Sequence, residues 1–262
     1  MSFPYDIRLP WGTIPIHLVF ELLAYAIGFR LYLRARRRAP SELTTEQAVW
    51  ILVGCLAGAW LGSKLVAWLE LPTLYWRFRA EPLVWLQGKS IVGGLLGGWV
   101  GVEVAKTLTG VRQATGDAYV VPLIVGMAIG RLGCFFTGLP DGTCGIATSL
   151  PWGVDFGDGL RRHPTQLYEI AYLVLLGLAL EHHPSRPAPA GARFRWFLLG
   201  YLAFRFVVEF IKPRPFLYPF GLTGIQTVAL MGMAAAAVSL WRQPHRAQAT
   251  PTVAVEGGSP RG

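Results

Sequence analysis

The chain has 262 residues and a net charge of +9, yet it is 53% hydrophobic and only 15% charged, with a mean hydropathy of +0.41. Soluble domains carry about 25% charged residues, so this balance excludes an ordinary soluble α/β protein. The Lys and Arg residues lie in short segments between apolar blocks with no aromatic-basic patch among them, which is how topogenic signals are arranged, and no nucleic-acid partner is expected.

Seven apolar stretches follow one another near residues 14–33, 48–69, 90–109, 117–137, 165–182, 194–211 and 222–241. Each is close to the roughly 20 residues needed to cross about 30 Å of hydrocarbon. The reading is an all-α integral membrane protein with a single seven-helix transmembrane domain over residues 1–242. The first stretch has no small-residue cleavage site after it and runs into Arg30, Arg34, Arg36, Arg37 and Arg38, so it is expected to be retained as a span. That basic cluster places the first inter-helix loop in the cytoplasm and the N-terminus outside. Seven crossings then leave the C-terminus inside, where Arg242 and Arg246 lie, and the turn from Lys106 to Arg112 and the loop with Arg186 fall inside too. The outer loops hold Arg77, Arg79, Lys212 and Arg214, which weakens the charge rule without reversing it. Residues 243–262, rich in Pro, Gly, Ala and Thr, read as a disordered cytoplasmic tail.

Glycines mark the second and third stretches. Gly54, Gly58 and Gly62 recur every four residues, a spacing that lets helix backbones approach closely. Gly93, Gly94, Gly97, Gly98 and Gly101 exceed what one packing face needs, so both packing and a close approach of a lipid headgroup are open for Gly93 and Gly94. Asp117, at the start of the fourth stretch, suits an N-cap there.

Polar residues inside these stretches are the candidates for chemistry, because an unpaired charge in a bilayer costs several kcal/mol and usually marks a working site. Arg131, Gly133, Cys134 and Gly138 end the fourth stretch, His163 to Glu169 open the fifth, and Arg205 and Glu209 end the sixth, all toward the same leaflet. Tyr201, Arg205 and Glu209 are four apart and form a stripe about 12 Å long on one helix face. Such a stripe can cradle an anionic headgroup at Arg205, with Glu209 orienting the guanidinium. Simpler readings stand beside this one. Arg205 and Glu209 can be an intrahelical ion pair, Arg131 can snorkel to the interface, and His163-Pro164 can cap the fifth helix with help from Gln166 and Glu169. Transport is disfavoured, since no two halves repeat and the polar residues gather at one leaflet. Cys55, Cys134 and Cys144 are too few for a disulfide scaffold and lack zinc spacing. Cys134 is a small packing residue, a thiol poised beside Arg131 for a covalent intermediate, or half of a disulfide with Cys144.

These residues resemble the bacterial prolipoprotein diacylglyceryl transferases. The resemblance is carried by Asp117 and Pro122 leading to Gly130-Arg131-Leu-Gly133 and Gly138, by His163-Pro-Thr-Gln166-Leu-Tyr168-Glu169, by Tyr201 with Arg205-Phe-Val-Val-Glu209-Phe, and by Leu222-Thr-Gly-Ile-Gln226. It covers residues from about 54 to 231. It implies seven helices in the cytoplasmic (inner) membrane around an outward-facing, lipid-accessible cavity. It also implies transfer of diacylglyceryl from phosphatidylglycerol to the lipobox cysteine of a lipoprotein precursor, with release of glycerol phosphate. No metal and no soluble cofactor is implied.

By position, Arg131 matches the family's essential arginine and would hold the phosphate, while Tyr201, Arg205 and Glu209 match a set implicated in substrate binding and activity. The catalytic expectation rests on Arg131, Arg205, Glu209 and His163. The binding expectation rests on Gly93, Gly94, Gly133, Cys134, Gly138, Gln166, Tyr168, Glu169 and Tyr201. The chain departs from the family at Val92, where a histidine suspected as proton acceptor is usual, at Cys134 and Thr137, where asparagines are common, and at Glu21, where a tyrosine is usual. Valine cannot take a proton. Either His163, Glu209 or Glu21 serves as base, or the chain uses the same phospholipid site with a different acceptor or only binds lipid.

Overall fold

A computed structural model describes residues 3–10, 12–38, 43–182 and 189–242. The expected tail at 243–262, with Arg246, and the loop residue Arg186 lie outside these described residues. Nine α-helices are present among them: α1 (Ile16–Arg38), α2 (Thr45–Glu70), α3 (Pro72–Arg77), α4 (Pro82–Leu86), α5 (Ile91–Leu108), α6 (Val120–Thr137), α7 (Thr165–Glu181), α8 (Ala192–Val208) and α9 (Gly224–Trp241). A helix of 17 residues or more occupies each of the seven apolar stretches. Among the described residues, five segments are long and apolar enough to cross a membrane: Ile16–Arg37, Thr45–Glu70, Ile91–Leu108, Gly116–Thr137 and Gly224–Trp241. The protein is therefore a multi-pass, all-α membrane protein. Two short antiparallel hairpins, β1 (Ile7–Leu9) with β2 (Gly12–Ile14) and β3 (Val154–Asp155) with β4 (Arg161–Arg162), lie outside the helices.

Neighbouring helices pack as a chain: α1 on α6, α6 on α7, α7 on α8, α8 on α9, α9 on α2, and α2 on α5. The core between them holds Val92 of α5, Val120 of α6, Leu173 of α7, Phe197 and Leu202 of α8 and Ala229 of α9, all fully buried. The outward faces are equally apolar. Leu22, Tyr25 and Phe29 on α1 are 59%, 67% and 61% exposed, a pattern that is stable only where hydrocarbon covers it.

The α2–α5 contact is set by glycine. A Cβ on Gly58 would lie 2.2 Å from the Gly97 carbonyl oxygen, one on Gly54 2.5 Å from that of Gly101, and one on Gly93 2.1 Å from that of Gly62. No side chain fits between these backbones, so the four-residue glycine repeat of α2 is a packing face. The same contact accounts for Gly93, Gly97 and Gly101, whereas Gly94 meets Ala59 and Ser63 only at ordinary van der Waals distance.

Helix starts are set by specific caps. Thr44 with Gln47 and Thr223 with Gln226 form reciprocal capping boxes, so the Leu222-to-Gln226 motif is the local start signal of α9. Asp117 corrects its sequence expectation. It lies in a 3₁₀ turn (Gly116–Tyr119) before α6 and caps α8 instead, accepting the Gly191 N–H at 2.6 Å and the Phe194 N–H at 2.9 Å. The N-cap residue of α8 is Gly191, which has no side chain to cap with, so a carboxylate from a neighbouring turn takes that role.

Gly97→Val would drive a branched side chain into the α2 backbone. The expected cost is about 1–3 kcal/mol or more by overpacking, read as a lowered thermal unfolding midpoint in detergent, whereas Gly94→Ala is expected to leave the midpoint nearly unchanged.

Candidate functional site

The polar residues converge at one end of the bundle, where α1, α5, α7 and α9 begin and α2, α6 and α8 end. Glu169, one turn into α7, is the hub. Its Oε1 accepts the Tyr201 hydroxyl at 2.6 Å, and its Oε2 lies 3.3 Å from Arg205 Nη1 and 2.9 Å from Arg131 Nε. Arg205 Nη2 donates to Glu209 Oε2 at 3.0 Å. Two guanidiniums and two carboxylates thus form a charge-balanced cluster, with the Glu169 and Arg205 side chains only 3% and 4% exposed. Tyr201 and Arg205 lie on the same α8 face, while Glu209 begins a 3₁₀ turn (Glu209–Ile211) just past the helix end. The intrahelical pair Arg205–Glu209 exists, but Arg205 also reaches across to α7, so pairing within α8 is only part of its role.

Arg131 is the asymmetric member. Its Nε faces Glu169, while Nη1 has only the Cys134 sulfur at 3.7 Å, and its Nη edge meets no oxygen acceptor among the described residues. With a side chain 11% exposed, Arg131 is too enclosed to snorkel. A buried guanidinium keeps donor capacity in reserve only at a cost in solvation, so an anionic ligand is the natural partner.

Around this cluster the other expected residues take supporting places. Gln166 donates to Thr143 Oγ1 at 3.1 Å and to Cys144 Sγ at 3.3 Å, tying the start of α7 to the 138–164 loop. Burial pushes the Cys144 thiol pKa up, so it stays protonated at neutral pH. His163 and Tyr168 pair through His163 Nδ1 and the tyrosine hydroxyl at 3.2 Å, and Tyr168 also accepts the Trp152 indole N–H. No hydrogen bond or ion pair joins His163 to the Arg131–Glu169 cluster among the described residues. Pro164 stands at the N-cap position of α7, and no side chain there bonds the first amides. Gly133 faces α1, where a Cβ would lie 2.8 Å from that of Phe20. Gly138 ends α6 at φ +73°, a conformation open to glycine, and the chain then turns back through Leu139–Asp141. All three cysteines are free, so the Cys134–Cys144 disulfide is not formed.

Glu70 goes unread in the sequence, Lys212 reads there only as a loop charge, and Glu21 reads as a candidate base. Glu70 ends α2 and accepts the Ile225 N–H at 3.1 Å, fixing α9 at this end. Glu21 pairs with Lys89 at 3.5 Å and accepts the Tyr25 hydroxyl at 2.9 Å, so its charge is met locally. Lys212, directly after the α8 turn, is half-buried, and burial together with the repulsion of Arg205 pulls its pKa down from 10.5 to about 8. Its proximity to Arg205 and Glu209 comes from the chain turning at 209–211, which apolar spacing cannot reveal.

Comparison with known proteins decides the family. Residues 7–242 match the family model for prolipoprotein diacylglyceryl transferase. The chain belongs to that family. Proteins named phosphatidylglycerol–prolipoprotein diacylglyceryl transferase from Bordetella parapertussis and Pasteurella multocida are 38% and 35% identical to it, over 80% of this chain and 82% and 81% of theirs. A relative of the same name from Pseudoalteromonas atlantica is 36% identical over 80% of this chain and 77% of its own.

Two measurements check the site. Glu169→Gln leaves two buried guanidiniums short of a counter-charge and is expected to cost about 3–5 kcal/mol, with a larger drop in unfolding midpoint than Glu209→Gln, which frees one. Lys212 has a folded pKa below its unfolded one, so its burial penalty is fully felt below about pH 8 and is relieved as pH rises from 8 toward 10.5. Lys212→Met is therefore expected to unfold at a higher temperature than the unaltered protein at pH 7, with the gap narrowing as pH rises from 8 toward 10.5.

Proposed function

We propose that the chain transfers the diacylglyceryl group of phosphatidylglycerol to the lipobox cysteine of a lipoprotein precursor, with Arg131 and Arg205 as the phosphate-binding pair. The observation that carries this reading is the Arg131 guanidinium, held by Glu169 on one edge and left without an oxygen acceptor on the other. In the reaction the cysteine sulfur attacks the glycerol carbon, a carbon–sulfur bond forms, and the carbon–oxygen bond to phosphate breaks with its electron pair leaving on glycerol phosphate. The thiolate is the nucleophile, so the thiol proton must pass to a base. The departing phosphate gains charge, which a preorganised pair of guanidiniums stabilises without reorientation. Tyr201 and Glu169 hold that pair in place, Glu209 completes its charge balance, and His163, Gln166, Tyr168, Cys134 and the backbone at Gly94, Gly133 and Gly138 shape the surrounding entry.

The topology that fits this role has α7 and α8 crossing with the other five, one membrane domain through residue 242, and the site end outward in the bacterial inner membrane. Arg30, Arg34, Arg36 and Arg37 lie at the opposite end, on α1, which by the positive-inside rule belongs in the cytoplasm. The C-terminus then also lies in the cytoplasm.

A second reading is favoured by Val92, which is fully buried in the core cluster. Hydrocarbon fills the position where the family's proton-accepting histidine is usual, so a different acceptor at the same lipid site is the alternative.

The test is a transfer assay in liposomes with phosphatidylglycerol labelled in its acyl chains and a lipobox peptide, beside its Cys→Ala counterpart. Label is expected on the cysteine peptide alone, and Arg131→Ala is expected to lower the rate by on the order of 100-fold or more, with Arg131→Lys recovering little because ammonium lacks the planar fork. Full transfer by a folded Arg131→Ala variant would remove the phosphate role, and bound lipid without transfer would favour the second reading.

A further inference from the structure

Beside the arginine cluster lies a second grouping, which shares Cys134 with the entry to that site. His17 in the first turn of α1, Cys134 near the end of α6 and Asp141 in the turn after Gly138 bring one imidazole nitrogen, one sulfur and one carboxylate oxygen within 4.8 Å of one another. We propose that these three residues form a binding site for a borderline-soft divalent transition metal of the zinc class.

Three features of the structure support it. The donor set combines thiolate, imidazole and carboxylate, which is the chemistry such ions select, and it supplies three protein ligands with a fourth position open. Ligands around tetrahedral zinc sit at about 2.0–2.3 Å from the metal, hence roughly 3.3–3.8 Å from each other, so closing the site requires movements of only about 1 Å. The His17 Nδ1 atom is buried and has no hydrogen-bond partner among the described residues, although the Asp141 carboxylate stands 3.4 Å away. An aligned hydrogen bond would have satisfied it, and a metal ion between the two does so with both groups facing inward.

The surroundings hold the ligands in place and balance their charge. Thr143 Oγ1 donates to Asp141 Oδ2, fixing the far oxygen of the carboxylate and leaving Oδ1 toward His17, an outer-shell arrangement common at metal sites. Gly133 brings α1 against α6, since a Cβ there would lie 2.8 Å from that of Phe20, and this places His17 beside Cys134. A thiolate and a carboxylate together neutralise a divalent ion. Arg131, whose Nη1 lies 3.7 Å from the sulfur, has its own charge matched by Glu169.

The test uses the full-length protein purified in detergent and stripped with a chelator. Cobalt(II) is expected to bind one per chain with a thiolate-to-metal charge-transfer band in the near ultraviolet, and zinc is expected to displace it. The band should vanish in Cys134→Ser and persist in Cys55→Ser and Cys144→Ser. His17→Ala and Asp141→Asn should each weaken zinc binding, followed by competition with a chromophoric chelator, by on the order of 10-fold or more. No band in the unaltered protein, a band that survives Cys134→Ser, or zinc affinity unmoved by both His17→Ala and Asp141→Asn overturns the proposal. Should Cys134→Ser fail to fold, the His17 and Asp141 variants decide it, because both keep the sulfur ligand. None of these readouts depends on transfer activity.

Discussion

The carboxylate of Glu169 is the interaction on which the rest of this end of the bundle depends. It compensates two guanidiniums arriving from different helices, Arg131 from α6 and Arg205 from α8, and it orients Tyr201 at the same time. Burying ions is expensive, and removing one partner of such a set costs more than the set itself contributes. The arrangement therefore makes sense as a prepared binding surface. The cost of enclosing the charges falls on folding, and an incoming anion meets donors already in position.

That single hub explains why three helices must keep their mutual register. Sliding α6, α7 or α8 by one turn would move a charged group by about 5.4 Å along its axis and strand it in apolar surroundings. The apolar core, with Phe197 and Leu202 of α8 packed near Leu173 of α7, has no such preference for one register over another made of similar side chains. Ionic pairing thus supplies specificity where hydrocarbon packing supplies cohesion.

Much of the fold was legible because membrane helices have a strong compositional signature. All seven stretches coincide with helices to within about five residues, and five of these are long and apolar enough to cross a membrane. The stripe Tyr201, Arg205, Glu209 was legible as a face from its spacing alone, and the glycine repeat of α2 as a packing surface. Less was legible wherever a partner comes from a distant segment. Asp117 reads as the cap of the helix that follows it, and only the placement of Gly191 beside it redirects the carboxylate to α8. Glu169 reads as one polar residue at a helix start among several, and its centrality emerges when α6 and α8 deliver their arginines to it. His17, Cys134 and Asp141 carry no spacing signal, because an interhelical contact and a tight turn bring them together.

The two ends of α8 are fastened to neighbouring elements by carboxylates. Asp117, leading into α6, holds the first turn of α8, and Glu169 of α7 bridges α6 and α8 near the other end. With both ends tied, α6 and α8 behave as the two rails of a frame whose gauge sets the spacing between the arginines. A bulky lipid entering between helices cannot widen that gauge without breaking ionic contacts. The α2–α5 pair is joined differently, backbone to backbone through its glycines, so there the spacing is set by the absence of side chains and not by charge.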